Sequence, residues 1–223
     1  MESVRIEKKL EHGKHQIALK TDFNICDAFR IFDERECGYL GFTDFKNGLA
    51  DIGVVEPHES IELFFKRYDR DGDGLIAFSE FADAFTPMEQ YYASILGRRT
   101  SSHRRINPYR KDDIFEHNTA VEFKNMMRTH FQLETAAEVL RGSVNRNPMF
   151  NVDEAFNICD LNRNGRISHD ELRLLLESRG LNISNTEAKH LFAKFDRNDN
   201  QLINFEEFVE EVRPKCLSKQ MVL

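Results

Sequence analysis

The sequence lacks the features that would commit it to a membrane, to secretion or to covalent catalysis. No stretch approaches the roughly 20 apolar residues of a helical membrane span. The opening run from Met1 to Lys9 has no apolar core of signal-peptide length. Residue 2 is Glu rather than Gly, and Cys216 stands too far from the last residue for a prenylation box, so the usual lipid anchors are not expected. Cysteine is sparse. Cys26, Cys37, Cys159 and Cys216 show no Cys-x-x-Cys spacing and read as reduced thiols, which points to a reducing, cytoplasmic setting. A nucleophile–base set, a phosphate loop and a Cys/His metal cluster are all missing, which argues against an enzyme. The 38 acidic residues outnumber the 31 basic ones, and the net charge of -7 argues against a dedicated nucleic-acid binder.

What the 223 residues do contain is 19 Phe within a 40% apolar composition, ample for buried cores, and a repeated acidic motif. A Ca2+ ion takes about 6 to 8 oxygen ligands, which a twelve-residue EF-hand loop supplies from positions 1, 3, 5, 7, 9 and 12. Position 6 turns sharply and is Gly, position 7 gives its carbonyl, and position 12 is a bidentate Glu. The run from Asp69 to Glu80 has Asp69, Asp71 and Asp73 at 1, 3 and 5, Gly74 at 6, Leu75 at 7 and Glu80 at 12. Ala77 leaves position 9 to water. The run from Asp160 to Glu171 matches with Asn162, Asn164, Gly165 and Arg166, amide oxygens replacing two carboxylates. The run from Asp196 to Glu207 keeps Asn198, Asn200 and Leu202 in their positions but puts Gln201 where Gly belongs. A side chain at positive φ there costs roughly 1 kcal/mol, which lowers affinity without abolishing the site. A fourth run, Asp33 to Asp44, keeps Gly38 but has Arg35 and Cys37 at ligand positions 3 and 5 and the shorter Asp44 at 12. It reads as a structural hand.

Spacing supports the repeat independently. Asp33 to Asp69 is 36 residues, and Asp160 to Asp196 is also 36. Apolar stripes precede every loop at helical spacing: Ile25, Phe29 and Phe32; Ile61, Phe65 and Tyr68; Val152, Phe156 and Cys159; Ala188, Phe192 and Phe195. Most of these are expected to be core. Position 8 is Leu40, Ile76, Ile167 and Ile203, the residue type for a short ladder between paired loops. Ser184 and Glu187 form a capping-box pattern after Gly180, and Pro214 stops the last helix after Val212. The expected fold is therefore all-α: two helix-loop-helix pairs, each with a two-stranded ladder. The organisation reads as an N-terminal extension (1–21), a first pair (22–96), a basic linker with a helical insert (97–150), a second pair (151–213) and a tail (214–223).

The interval between the pairs encodes something more than a connector. From Arg98 to Lys111 there are six Lys or Arg and no acid, together with residues that disfavour regular structure. It reads as a flexible basic loop, with three uses open: a solvated linker, docking of Arg98, Arg99, Arg104 and Arg105 on an acidic surface, or phosphorylation at Ser101 after Arg98 and Arg99. Downstream, the sequence predicts one helix through Phe123, Met126, Met127 and His130 and a second from Leu133 to Leu140. These would either fill the groove of a hand pair from within the chain or form a separate contact surface.

The four loops resemble the calmodulin superfamily over residues 22–86 and 150–213. The stretches Phe85 to Ala93, Ala136 to Arg141 and Asn147 to Asn151, set around the long basic linker, resemble ciliate EF-hand proteins of about this size. That resemblance implies a ciliary, axonemal or cortical cytoskeletal setting, while the loops themselves give Ca2+ as the cofactor and leave open whether Mg2+ holds some sites at rest. The long linker, the dead first loop and Gln201 depart from the calmodulin pattern. Three functions stay open: a Ca2+ sensor gripping a target helix, a constitutive structural component in which Ca2+ stabilises, and a buffer. Replacing Glu80 or Glu171 by Gln is expected to remove one bound Ca2+ each, counted by calorimetric titration; unchanged stoichiometry would refute that loop's assignment.

Overall fold

The computed structural model describes residues 2–216, with side chains from residue 5 onward. Helix α1 (Glu2–Leu19) precedes the repeats. The first hand is α2 (Ile25–Arg30), strand β1 (Tyr39–Gly41) and α3 (Phe42–Asp51); the second is α4 (His58–Tyr68), β2 (Leu75–Ala77) and α5 (Phe78–Phe85). The interval holds α6 (Gln90–Gly97), a 3-10 turn (Lys111–Ile114) and α7 (His117–Asn145). The third hand is α8 (Val152–Cys159), β3 (Arg166–Ser168) and α9 (His169–Ser178); the fourth is α10 (Asn185–Phe195), β4 (Leu202–Asn204) and α11 (Phe205–Val212). The all-α, paired-hand architecture is as the repeat predicts. Position 8 makes both ladders, Leu40 opposite Ile76 and Ile167 opposite Ile203, each antiparallel. Ser184 caps α10 in a reciprocal box with Glu187, and α11 ends at Val212, ahead of Pro214. None of the described helices is long and apolar enough to cross a membrane.

Two compact units emerge, one spanning Arg5–Thr135 and the other containing the chain from Ala136 onward. The change of unit falls inside α7, and here the expected pair of helices is corrected. Residues 117–145 form one helix, because from His117 to Arg141 there is neither Gly nor Pro to interrupt it.

In the Arg5–Thr135 unit, the apolar faces of α2, α3, α4 and α5 converge on a Phe-rich core, and α7 supplies its other wall. Ala120, Phe123, Met127, His130, Phe131 and Glu134 follow the i, i+3/i+4, i+7 spacing of one helical face and are all buried. The Phe123 ring lies 5.6 Å from Phe85, 5.9 Å from Phe23 and 6.4 Å from Phe32 by centroids, and Phe131 lies 5.6 Å from Phe64. His130 is held by its Nδ1, 3.0 Å from the Tyr68 hydroxyl. At Gly48 a Cβ would come within 2.5 Å of the Phe32 ring, so glycine lets α3 close on Phe32, two residues beyond the end of α2. Helix α1 adds Leu10, Ile17 and Ala18 to the same core. The groove of the first pair is thus filled by this chain's own helix, one of the two arrangements that the sequence left open.

The unit beginning at Ala136 has a smaller core of Phe156, Cys159, Ile167, Leu172, Phe192, Ile203 and Phe208. Its walls Leu175, Leu176, Leu191, Phe195 and Val212 are only partly buried. The last turns of α7 attach here by polar contacts. The Arg141 guanidinium donates to the Glu211 carbonyl at 2.8 Å and pairs with the Glu211 carboxylate, satisfying a backbone oxygen at the end of α11. The Glu138 carboxylate accepts the amides of Lys215 and Cys216, both at 2.8 Å. Phe123→Ala is expected to destabilise the Arg5–Thr135 unit by about 3 to 5 kcal/mol, measured as lost hydrogen-exchange protection of its core amides. A loss below about 1 kcal/mol would show that α7 is not structural there.

Candidate metal centres

Each loop is closed by the same hydrogen bond. The carboxylate at position 1 accepts the amide N–H of position 6: Asp33 from Gly38 at 2.7 Å, Asp69 from Gly74 at 2.9 Å, Asp160 from Gly165 at 2.7 Å and Asp196 from Gln201 at 2.9 Å. That closure puts position 6 in the left-handed region in all four loops, including Gln201 at φ 66°. It also puts position 4 there, as Glu36, Gly72, Arg163 and Asp199. This second left-handed position escapes the sequence reading, because only Gly72 advertises it.

Position 12 of each loop is also the third residue of the exiting helix. Glu80, Glu171 and Glu207 reach back to accept the amides of Ala77, Ser168 and Asn204 at 2.9, 2.9 and 3.0 Å. Their other oxygens accept from the loop, Arg70 N–H to Glu80, Asn162 N–H to Glu171 and Arg197 N–H to Glu207. One carboxylate therefore ties the loop to the start of the helix, and all three are buried.

The oxygens differ from loop to loop. In the second, the carboxylates of Asp69, Asp71 and Asp73 present oxygens all within 4.8 Å of one another. Like charges at such a distance repel by roughly 1 kcal/mol per pair in water and about 4 kcal/mol near a protein surface. A hard divalent cation relieves this, and the oxygen-only donor set fits one. In the third and fourth loops Asn162, Asn164, Asn198 and Asn200 bring amide oxygens, each accepting the N–H two residues on at 2.8 to 3.0 Å. An amide oxygen has a second lone pair for a ligand role. Leu75, Arg166 and Leu202 at position 7 are the first residues of β2, β3 and β4.

The third and fourth loops are not electrostatically equal. Burial works against ionisation of Glu171, but the Ser168 amide and hydroxyl and the Asn162 amide outweigh it and hold the carboxyl below its usual range. Burial pushes the Asp196 carboxyl up; the Gln201 and Asn200 amides only partly offset this, and the nearby charges of Glu207 and Asp199 add to the rise. A proton therefore competes for Asp196 more than for Glu171.

The first loop shares the closing bond but satisfies its ligand positions from within the chain. The Arg35 guanidinium, at position 3, pairs with the position-12 carboxylate of Asp44. The Cys37 thiol, at position 5, lies 3.3 Å from Asp33 Oδ1. An internal cation and a weak S–H donor thus satisfy the carboxylates that a metal would bridge.

The basic segment after α6 has no helix or strand before Lys111, as its composition predicts, yet it is fastened to the Arg5–Thr135 unit. The Arg99 guanidinium donates to the carbonyls of Ala18 and Phe23, both at 2.8 Å, and to that of Lys20. Lys111 is buried against Glu34 and Asp51. Arg99 is thus engaged within the chain, its guanidinium donating to backbone carbonyls at and just after the end of α1. Arg98, Arg104 and Arg105 are exposed. Ser101 is half-buried, its hydroxyl donating to Asp27 at 2.6 Å.

Residues 22–86 and 150–213 match the EF-hand domain pair. Calglandulin of Bothrops insularis is 32% identical over 72 residues, 32% of this chain and 46% of calglandulin, so the chain spans about half that relative's length. A probable calcium-binding protein of Arabidopsis thaliana, CML25, is 26% identical over 85% of this chain and 73% of its own length. Calmodulin-like protein 2 of the same plant is 23% identical over 83% and 88%. With four loops closed by one bond, two ladders and both pairs matched, the chain belongs to the EF-hand family, within the calmodulin superfamily.

Proposed function

We propose that this protein is a Ca2+ sensor that grips an amphipathic helix of a protein target with its second pair of hands. Ca2+ is held by Asp69, Asp71, Asp73, the Leu75 carbonyl and Glu80; by Asp160, Asn162, Asn164, the Arg166 carbonyl and Glu171; and by Asp196, Asn198, Asn200, the Leu202 carbonyl and Glu207. Mg2+ occupies some of these at rest. Bound Ca2+ supplies the charge that lets carboxylates share one small volume. The chain's own contribution is position 12, whose carboxylate belongs to both the loop and the exiting helix, so a change at the loop is passed to that helix.

The observation that carries this reading is the difference between the two pairs. The apolar face of the first is covered by Phe123, Met126, Met127 and Phe131 of α7. In the second, Leu175, Leu176, Leu191, Phe195 and Val212 remain partly buried, with Ile158 and Leu174 about half exposed, at 48% and 49%. Half-open apolar walls are what a target helix covers. The filled first pair favours a second reading, a constitutive component of a ciliary, axonemal or cortical cytoskeletal assembly in which Ca2+ only stabilises; the sensor reading itself places the protein in the cytoplasm.

Calorimetric titration of the metal-stripped protein with Ca2+ in millimolar Mg2+, with ANS fluorescence followed on the same samples, separates the two. The sensor reading expects saturable binding at the second, third and fourth loops together with ANS uptake. Weak binding without ANS uptake would move the assignment to the constitutive component. Gln201→Gly is expected to tighten the fourth loop by about fivefold, the equivalent of removing roughly 1 kcal/mol of left-handed strain. An unchanged fourth-site affinity in the same titration would show that Gln201 carries no such strain.

A further inference from the structure

Helix α2, which enters the first hand, carries a buried carboxylate with no part in the loop. Asp27 is 1% exposed. It accepts from the Asn24 amide at 2.7 Å, the Ser101 hydroxyl at 2.6 Å, the Ser102 backbone N–H at 2.9 Å and the Arg30 guanidinium at 2.9 Å. Arg30 also donates to Ser101 Oγ at 3.2 Å and to the Arg104 carbonyl at 3.1 Å. His103 donates its N–H to Ser101 Oγ at 3.1 Å and stands at φ 54°, a left-handed conformation rare for a residue with a side chain. With Arg99 seated on carbonyls at and just after the end of α1, residues 99–104 are wrapped around one acidic group. Burial works to raise the Asp27 carboxyl, but its donors from Asn24, Ser101 and Ser102 outweigh that and hold it well below the usual carboxylate range.

We propose that Ser101 is a phosphorylation site for a protein kinase selecting upstream arginines, and that the Asp27 latch both hides it and is broken by its modification. The recognition residues Arg98 and Arg99 stand three and two positions before the acceptor. In the latched segment Arg99 is engaged and the Ser101 hydroxyl is spent on a carboxylate, so a kinase can take the serine only after the segment lifts away. The γ-phosphoryl of ATP then moves to Ser101 Oγ: the Oγ–P bond forms, the P–O bond to ADP breaks, and the hydroxyl proton leaves to the kinase's base. The product can no longer donate to Asp27 from Oγ, and it brings about -1.5 to -2 charge against that carboxylate. Relatching is thereby opposed by both repulsion and lost space, so the modification traps the open form and frees the basic segment.

The full-length protein, incubated with ATP and the catalytic subunit of an arginine-directed Ser/Thr kinase, tests this by peptide mass spectrometry and amide hydrogen exchange. Phosphate is expected on Ser101 and lost in Ser101→Ala, with exchange at the Ser102 and His103 amides rising by about tenfold or more after modification. Asp27→Asn, and independently Arg30→Ala, which leaves the Asn24 cap of α2 untouched, are expected to speed phosphorylation by about tenfold. Phosphate carried on Thr100 or Ser102 instead, no incorporation into the native chain, rates unchanged in both variants, or exchange unaltered or slowed by the phosphate would each overturn the proposal.

Discussion

The bond on which the hands depend is the one from the amide of loop position 6 to the carboxylate of position 1. It folds twelve residues back on themselves, and the reversal requires left-handed backbone at positions 4 and 6. It then sends position 8 outward to meet its counterpart, and the ladder fixes two hands as a pair. The first loop shows that this closure does not depend on a complete ligand set. Asp33 accepts Gly38 as the other aspartates accept their partners, although Arg35 and Cys37 stand where oxygens belong. The hand survives as a partner for the second because its closing bond and ladder residue survive.

The two pairs share this closure and diverge in what covers their apolar faces. In the Arg5–Thr135 unit, α7 lies against Phe32 after α2 and against the faces of α4 and α5 through Phe123 and Phe131. A segment of the same chain has a high effective concentration, which an outside helix must overcome to displace it. That pair is thereby made part of a core. The second pair receives from α7 the polar contacts of Arg141 and Glu138 on the end of α11 and the residues after it, and keeps its half-open walls.

The interval between the pairs also looks different in three dimensions. Its charge marks it as a solvated loop, but charge is not availability. Arg99 and Lys111 are consumed by backbone carbonyls and by Glu34 and Asp51, and Ser101 by Asp27. None of these partners is near in sequence, the separation from Ser101 to Asp27 being 74 residues. No local pattern could have announced them.

The sequence by itself determined whatever depends on short range: the four loops at a spacing of 36, the position-8 ladders, the caps at Ser184 and Pro214, and the left-handed turn that Gln201 must make. The loops, the caps and the turn follow from a residue's own backbone preference or from neighbours within a dozen positions, and the ladders from the repeat of the loop at 36 residues. Tertiary structure alone decided that the helix over residues 117–145 fills the first pair, that Arg35 pairs with Asp44, and that the basic segment is latched to α2. These are choices among partners distant in the chain or equally available within it. Burial and hydrogen bonding resolve such choices only once the chain is packed.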